Sequence, residues 1–143
     1  MKLKIITIGE PKLSFAKEGF NEYIKRLNAF HSIEIVHLKD GVEDKKILDV
    51  IDNIFCVILD EKGKQFTSKK FATFIDEKAV RGVSEMCFVI GGPDGHNDEI
   101  KDRADVLLSF GEMTLPHDLA MVILVESLYR ASTINVNHPY HRE

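Results

Sequence analysis

Apolar residues follow two alternating rhythms along the 143-residue chain. Residues 3–8 form a short apolar run ended by Gly9-Glu10-Pro11, the pattern of a strand and a turn. From Ser14 onward, Phe15, Gly19, Phe20, Tyr23, Ile24 and Leu27 recur at helical spacing. Residues 33–38 read as a second strand. Val42, Ile47, Leu48 and Ile51 suggest a second helix after an Asp40-Gly41 turn. Residues 55–59 are solidly apolar, as a strand covered on both faces should be, and Asp60-Glu61-Lys62-Gly63-Lys64 is expected to turn the chain. Thr67-Ser68 is suited to cap a helix carrying Phe71, Phe74, Ile75 and Val80. Residues 86–90 and 106–110 predict two more buried strands, with a short helix capped by Asn97 between them. Pro116 opens a long helix that runs to about Ile134, and residues 135–143 read as a polar tail.

Strand and helix therefore alternate throughout. That predicts an α/β fold, one domain over residues 1–143, with helices on both faces of the sheet. In such sheets ligands sit outside the carboxyl ends of the strands. Three segments fall on that rim: the turn after Leu59, the loop after Ile90, and residues 111–115.

The loop Gly91-Gly92-Pro93-Asp94-Gly95 lets backbone approach a ligand closely. It has neither the Lys-Ser/Thr of a P-loop nor GxGxxG spacing, so ATP or NAD by those routes is not expected. Alone it reads equally as a tight strand-to-helix turn. In Gly111-Glu112-Met113-Thr114-Leu115-Pro116-His117, Thr114 is suited to cap the long helix. Backbone amides beside Met113 and Leu115 suit an adenine ring with an apolar, thioether-like arm; a plain capped loop is the alternative.

The long helix is apolar at seven consecutive positions, residues 119–125. A helix apolar all round must be covered on all sides. In a chain this short, that cover points to a second subunit, hence a homodimer with the helix at a two-fold interface. The same run is far shorter than the ~20 residues that cross a bilayer. No signal-peptide pattern or lipidation motif is present, so a cytoplasmic protein without a membrane partner is expected. Cys56 and Cys87 lie in apolar runs without CxxC spacing, as buried reduced thiols do.

Net charge is −4, which speaks against a general nucleic-acid binder. The charge is uneven, however. Residues 1–30 carry six basic side chains against three acids, and residues 61–80 carry five against three. Local sign governs association more than the total does. The tail, Asn137-His138-Pro139-Tyr140-His141-Arg142-Glu143, is rich in groups that move protons or hold phosphate. Zinc on His117, His138 and His141 is conceivable, but Pro139 breaks any helix that would align them, so no metal is expected.

The motifs taken together resemble the RlmH family of SPOUT-class methyltransferases, which modify a pseudouridine in 23S ribosomal RNA. The resemblance spans the chain. It rests on Leu59-Asp60-Glu61-Lys62-Gly63-Lys64, Val89-Ile90-Gly91-Gly92-Pro93-Asp94-Gly95, Met113-Thr114-Leu115-Pro116-His117, Glu126-Ser127-Leu128-Tyr129-Arg130-Ala131 and the terminal seven residues. The stretch around residues 40–53 is shorter than the family pattern.

The resemblance implies a mostly parallel sheet with a C-terminal trefoil knot, and S-adenosylmethionine bent among the knot loops. Leu59 and Gly92 would contact that cofactor, and Gly111, Glu112, Met113, Thr114, Leu115 and Pro116 would wrap it. The implied reaction is methylation of ring nitrogen 3 of a pseudouridine in 23S rRNA. His138, Tyr140, His141 and Arg142 are the catalytic candidates: a base for the ring proton, and an arginine for phosphate or carbonyl. The tail of one subunit would close over the cofactor of the other. The modest charge points to rRNA in the assembled ribosome rather than free RNA as the partner. The alternatives are a SPOUT enzyme with another RNA substrate, or a non-enzymatic nucleotide-binding regulator of flavodoxin-like type.

Overall fold

The computed structural model describes residues 1–92 and 94–141. Five strands and five helices alternate in it: β1 (Lys2–Ile8), α1 (Ser14–Leu27), β2 (Ser32–Leu38), α2 (Asp44–Ile51), β3 (Phe55–Gln65), α3 (Ser68–Val80), β4 (Glu85–Ile90), α4 (Asp98–Arg103), β5 (Val106–Ser109) and α5 (His117–Asn135). The strands form one sheet in the order β2-β1-β4-β3-β5, and each neighbouring pair is parallel. Parallel neighbours need crossovers, and the helices supply them on both faces. Phe20, Leu27, Phe71, Leu124 and Leu128 of α1, α3 and α5 pack on one face. Ile47, Ile51 and Ile100 of α2 and α4 pack on the other. Both faces being covered explains why β4 is buried at five of its six positions. Cys56 and Cys87 are in register on β3 and β4, buried and unbridged.

The expected turn after Leu59 does not end the strand. Leu59 and Lys64 both pair with Leu108, so residues 60–63 arch out of the sheet and pairing resumes beyond them. A Cβ on Gly63 would stand 2.6 Å from the Leu107 carbonyl carbon and oxygen, so only glycine lets the arch lie this close to β5.

Four local expectations are corrected. Phe15 and Val80 continue the helical spacing, yet they are 55% and 80% exposed, because each stripe is wider than the face its helix buries. Asn97 precedes α4 but does not cap it; its side-chain amide donates to Asp44 at 2.8 Å, tying α4 to α2. Thr114 does not cap α5 either. Pro116 occupies the N-cap and its carbonyl accepts from Ala120 N–H. Thr67, by contrast, caps α3 by accepting the Lys70 N–H at 3.1 Å.

The long helix is not covered on all sides within one chain. Met121, Leu124, Val125 and Leu128 are buried, while Leu119, Val122 and Ile123 remain half-exposed. Gly19 lets α1 cross α5 closely, its Cβ position lying 3.4 Å from Val122.

At its C-terminus α5 ends in a Schellman turn. Asn137 adopts φ +59°, His138 N–H reaches the Thr133 carbonyl at 2.8 Å, and Asn137 N–H reaches that of Ile134 at 3.2 Å. The turn sends the following residues back along the helix.

Candidate functional site

The carboxyl ends of the strands enclose a cleft of about 430 Å³. Of the residues expected at a cofactor, Leu59, Gly92, Gly111, Met113, Thr114 and Leu115 line it. The three rim segments therefore converge. Two residues of the expected cofactor set stand apart. Glu112 is exposed, Pro116 is taken up in starting α5, and neither lines the cleft.

The loop walls are tied together mainly through Ser109, buried at the end of β5. Its hydroxyl lies 3.0 Å from the carbonyls of Glu61 and Gly111 and accepts the Gly111 N–H. The arch of β3 and the loop after β5 are thus fastened at one point. Across the mouth, the Thr114 hydroxyl donates to the Glu61 carboxylate at 3.3 Å. Asp60 pairs with Lys101 of α4 at 3.4 Å, and the carboxylate is largely enclosed. Gly111 sits at φ +135°, a conformation that side chains rarely adopt.

Two histidines that the sequence reading did not place in the cleft, as cofactor or catalytic residues, line it. His96 lies against Gly91, whose Cβ would stand 2.9 Å from the ring. Burial pushes the His96 imidazole below its ordinary pKa, so it is neutral near pH 7. His117 opens α5. The sequence signal for His96 is its position directly after the glycine-rich turn, and for His117 its place at the end of the Met113–His117 motif.

Asp118 is also new. It is buried at the start of α5 and accepts from the backbone N–H groups of Lys12 and Leu13 at 2.9 and 2.7 Å. One carboxylate so fixes the loop between β1 and α1 against the cleft.

None of the described tail residues lines the cleft of its own chain. Tyr140 folds back onto α5 instead. Its ring meets Tyr129 edge-on at 4.6 Å, and its hydroxyl lies 3.1 Å from that of Tyr23 and 3.3 Å from Glu126. Arg130, bonded to Glu126 at 2.6 Å, lies over the Tyr140 ring. Burial, the Tyr23 hydrogen bond and the Glu126 charge push the phenol above its ordinary pKa. Tyr140 is thus a protonated anchor near pH 7 and a poor base. His138 turns its Nδ1 to the Tyr140 N–H at 3.1 Å. His141 is half-buried, and Arg142 lies outside the described residues.

Comparison with known proteins agrees with this geometry. A family model described as "Predicted SPOUT methyltransferase" matches residues 1–141. The ribosomal RNA large subunit methyltransferase H of Deinococcus radiodurans is 46% identical, covering 99% of each chain. That of Streptococcus gordonii is 40% identical over 99% of this chain and all of its own. Among solved structures, a probable methylase family protein of Haemophilus influenzae superposes with TM-score 0.62 at 12% identity, over 96% of this chain and 69% of that one. The SpoU methyltransferase AviRb of Streptomyces viridochromogenes, solved with AdoMet, superposes with TM-score 0.52 at 11% identity, over 96% and 58%. From a match over essentially its whole length, the chain belongs to the SPOUT methyltransferase family.

Proposed function

We propose that the chain is an S-adenosylmethionine-dependent methyltransferase acting on large-subunit ribosomal RNA. The observation that carries this is the end-to-end likeness to the D. radiodurans enzyme together with the cleft that the shared motif residues line. The cleft fits the cofactor. Its volume is in the range of small-molecule sites. Met113 and Leu115 offer an apolar surface, and the backbone at Gly92 and Gly111 carries no side chain to obstruct approach. When bound, the cofactor supplies an electrophilic methyl on a sulfonium.

The protein then has to place a nucleophilic nitrogen in line with that methyl and exclude water. Leu59, Gly92, Gly111, Met113, Thr114 and Leu115 would hold the cofactor, Glu112 and Pro116 supporting that loop from outside the cleft. The finer reading is that the target is ring nitrogen 3 of a pseudouridine, met on the assembled ribosome in the cytoplasm. Weak net charge favours a preformed particle whose shape adds contacts.

The enzyme works as a homodimer of single-domain chains. The half-exposed Leu119, Val122 and Ile123, next to exposed Leu13 and Phe15, form its two-fold face. Anchored by Tyr140, the tail of one subunit brings His138, His141 and Arg142 to the other's cleft. The trefoil knot belongs to this reading too, as the way cleft loops and α5 are held together.

The test is to incubate the purified protein with large ribosomal subunits and labelled S-adenosylmethionine, then analyse 23S rRNA nucleosides by mass spectrometry. One methylated pseudouridine is expected. No methyl transfer to rRNA would overturn the reading. Calorimetry should show binding of S-adenosylmethionine and S-adenosylhomocysteine but not of FMN or ATP.

A further inference from the structure

The cleft histidines differ in one respect. His96 leaves one ring nitrogen, Nε2, without a partner among the described residues, but its ring is held at the Val89 backbone and pressed on Gly91. His117 lines the cleft with both ring nitrogens buried and without a partner among the described residues. A neutral imidazole carries one N–H and one lone pair. Leaving such groups unmet costs about 1–3 kcal/mol each, so an orphaned ring in a cleft calls for a functional explanation.

Its neighbours suggest one. The point where a Cβ of Gly9 would stand is 3.6 Å from His117 Nε2 and 3.2 Å from Asp40 Oδ1. Gly9 sits at φ +94° after β1, and its missing side chain leaves a notch between imidazole and carboxylate. The same Asp40 oxygen is 3.5 Å from the Cβ position of Gly92, on the cleft wall. Lys12 Nζ lies 3.9 Å from the other Asp40 oxygen, and Asp118 pins the Lys12 and Leu13 backbone. The ends of β1 and β2 and the start of α5 thus bring a carboxylate and an unpartnered imidazole to the same Gly9 notch, near enough for the carboxylate to orient a general base.

We propose that His117 is the catalytic base that takes the proton from the target ring nitrogen, with Asp40 as its positioning residue across the Gly9 notch. The assignment rests on the rRNA methylation reading. In the step, the N–H bond breaks and its proton goes to His117. The nitrogen electron pair forms the new N–CH3 bond while the methyl's bond to sulfur breaks, its electrons returning to sulfur. The proton leaves through Asp40, whose side chain is 56% exposed. The charged groups around His117 are Asp40 and Lys12 at the strand ends, Asp118 on its own helix, and Asp60, Glu61, Asp94 and Lys101 lining the same cleft.

His117→Asn and Asp40→Asn test this by three readouts. His117→Asn is expected to lower kcat for ribosomal subunits by about 100-fold or more. It should also abolish the acid limb of the pH–rate profile while S-adenosylhomocysteine affinity stays within about two-fold. In the free protein, Asp40→Asn should change the 15N shifts that report which His117 ring nitrogen carries the proton. A near-normal rate, a persistent acid limb or unchanged ring-nitrogen shifts would each overturn the assignment. So would loss of S-adenosylhomocysteine affinity, which would make His117 a cofactor-binding residue. If wild-type protein fails to methylate rRNA, the function reading falls first; the ring-nitrogen shifts still report on the Asp40–His117 pair.

Discussion

The cleft and the tail both carry candidate site residues, yet they are held by different means. The cleft is fastened through backbone: strand ends, the Gly63 arch and the Ser109 hydroxyl bind its walls to the sheet. The tail is fastened by one side chain, Tyr140, to Tyr23, Tyr129 and Glu126. Backbone fastening makes a cleft preformed for a small ligand. A single aromatic anchor makes a segment that can be removed without disturbing that cleft. Cofactor binding and methyl transfer are therefore expected to separate.

Truncation after Asn137 gives the sharpest break. Methylation of ribosomal subunits should fall by about two orders of magnitude or more, as loss of groups that position the target nitrogen does. Calorimetry should show S-adenosylhomocysteine binding retained. Persistence of the wild-type rate would dissolve the distinction between the regions.

Gly63→Ala attacks the other side. Its Cβ would meet the Leu107 carbonyl at 2.6 Å, so the arch must shift. We expect about 1–3 kcal/mol of destabilisation, as for overpacking, and weaker cofactor binding. Chemical denaturation and calorimetry measure the two. Unchanged values would show the arch to be pliable.

Asp118→Ala leaves the Lys12 and Leu13 N–H groups unmet and should cost about 1–3 kcal/mol, read as a lower denaturation midpoint with an unchanged slope.

Acid should weaken the fold modestly. His31 is held below its ordinary pKa first by burial and then by the chain's amino terminus, and His96 first by burial. A depressed folded-state value means that below about pH 6.5 the unfolded chain gains protons that the native state refuses. Stability is then full above that pH and declines below it until the folded-state values are reached. His96→Gln should flatten the loss seen in thermal melts between pH 7 and 5.

The smallest effect is expected of Tyr140→Phe. It keeps the ring against Tyr129 but loses contacts to Tyr23 and Glu126, costing about 0.5–1.5 kcal/mol, with cofactor affinity unchanged.

Much of the fold was legible because apolar spacing reports which positions face a core. The strand residues Ile5, Ile58 and Phe88, and the α1 and α5 stripes through Phe20 and Leu124, are buried as their rhythm implies. Spacing fails at the margins of a stripe, as Phe15 and Val80 show, because burial depends on what another element covers. It also fails for short polar residues that choose between partners. Asn97 and Thr114 are credible caps by sequence, but Asp44 and Glu61, 53 residues away in each case, take their hydrogen bonds.

The candidate site divides the same way. Glycine-rich motifs mark Leu59, Gly92 and residues 111–115, since tight turns at strand ends need particular residue types. The grouping of Asp40, Gly9 and His117 has no sequence signature. It arises only where the ends of β1 and β2 meet the start of α5.

By itself, then, the sequence determined the alternating α/β elements, the loops that carry the cofactor motifs and the family they belong to. Those are set by local backbone preference and periodic burial. Tertiary structure alone decided the β2-β1-β4-β3-β5 order, the arch at Gly63, the fold-back of Tyr140 and the carboxylate near His117. Each depends on contacts between residues far apart in the chain, and such contacts leave no periodic trace in it.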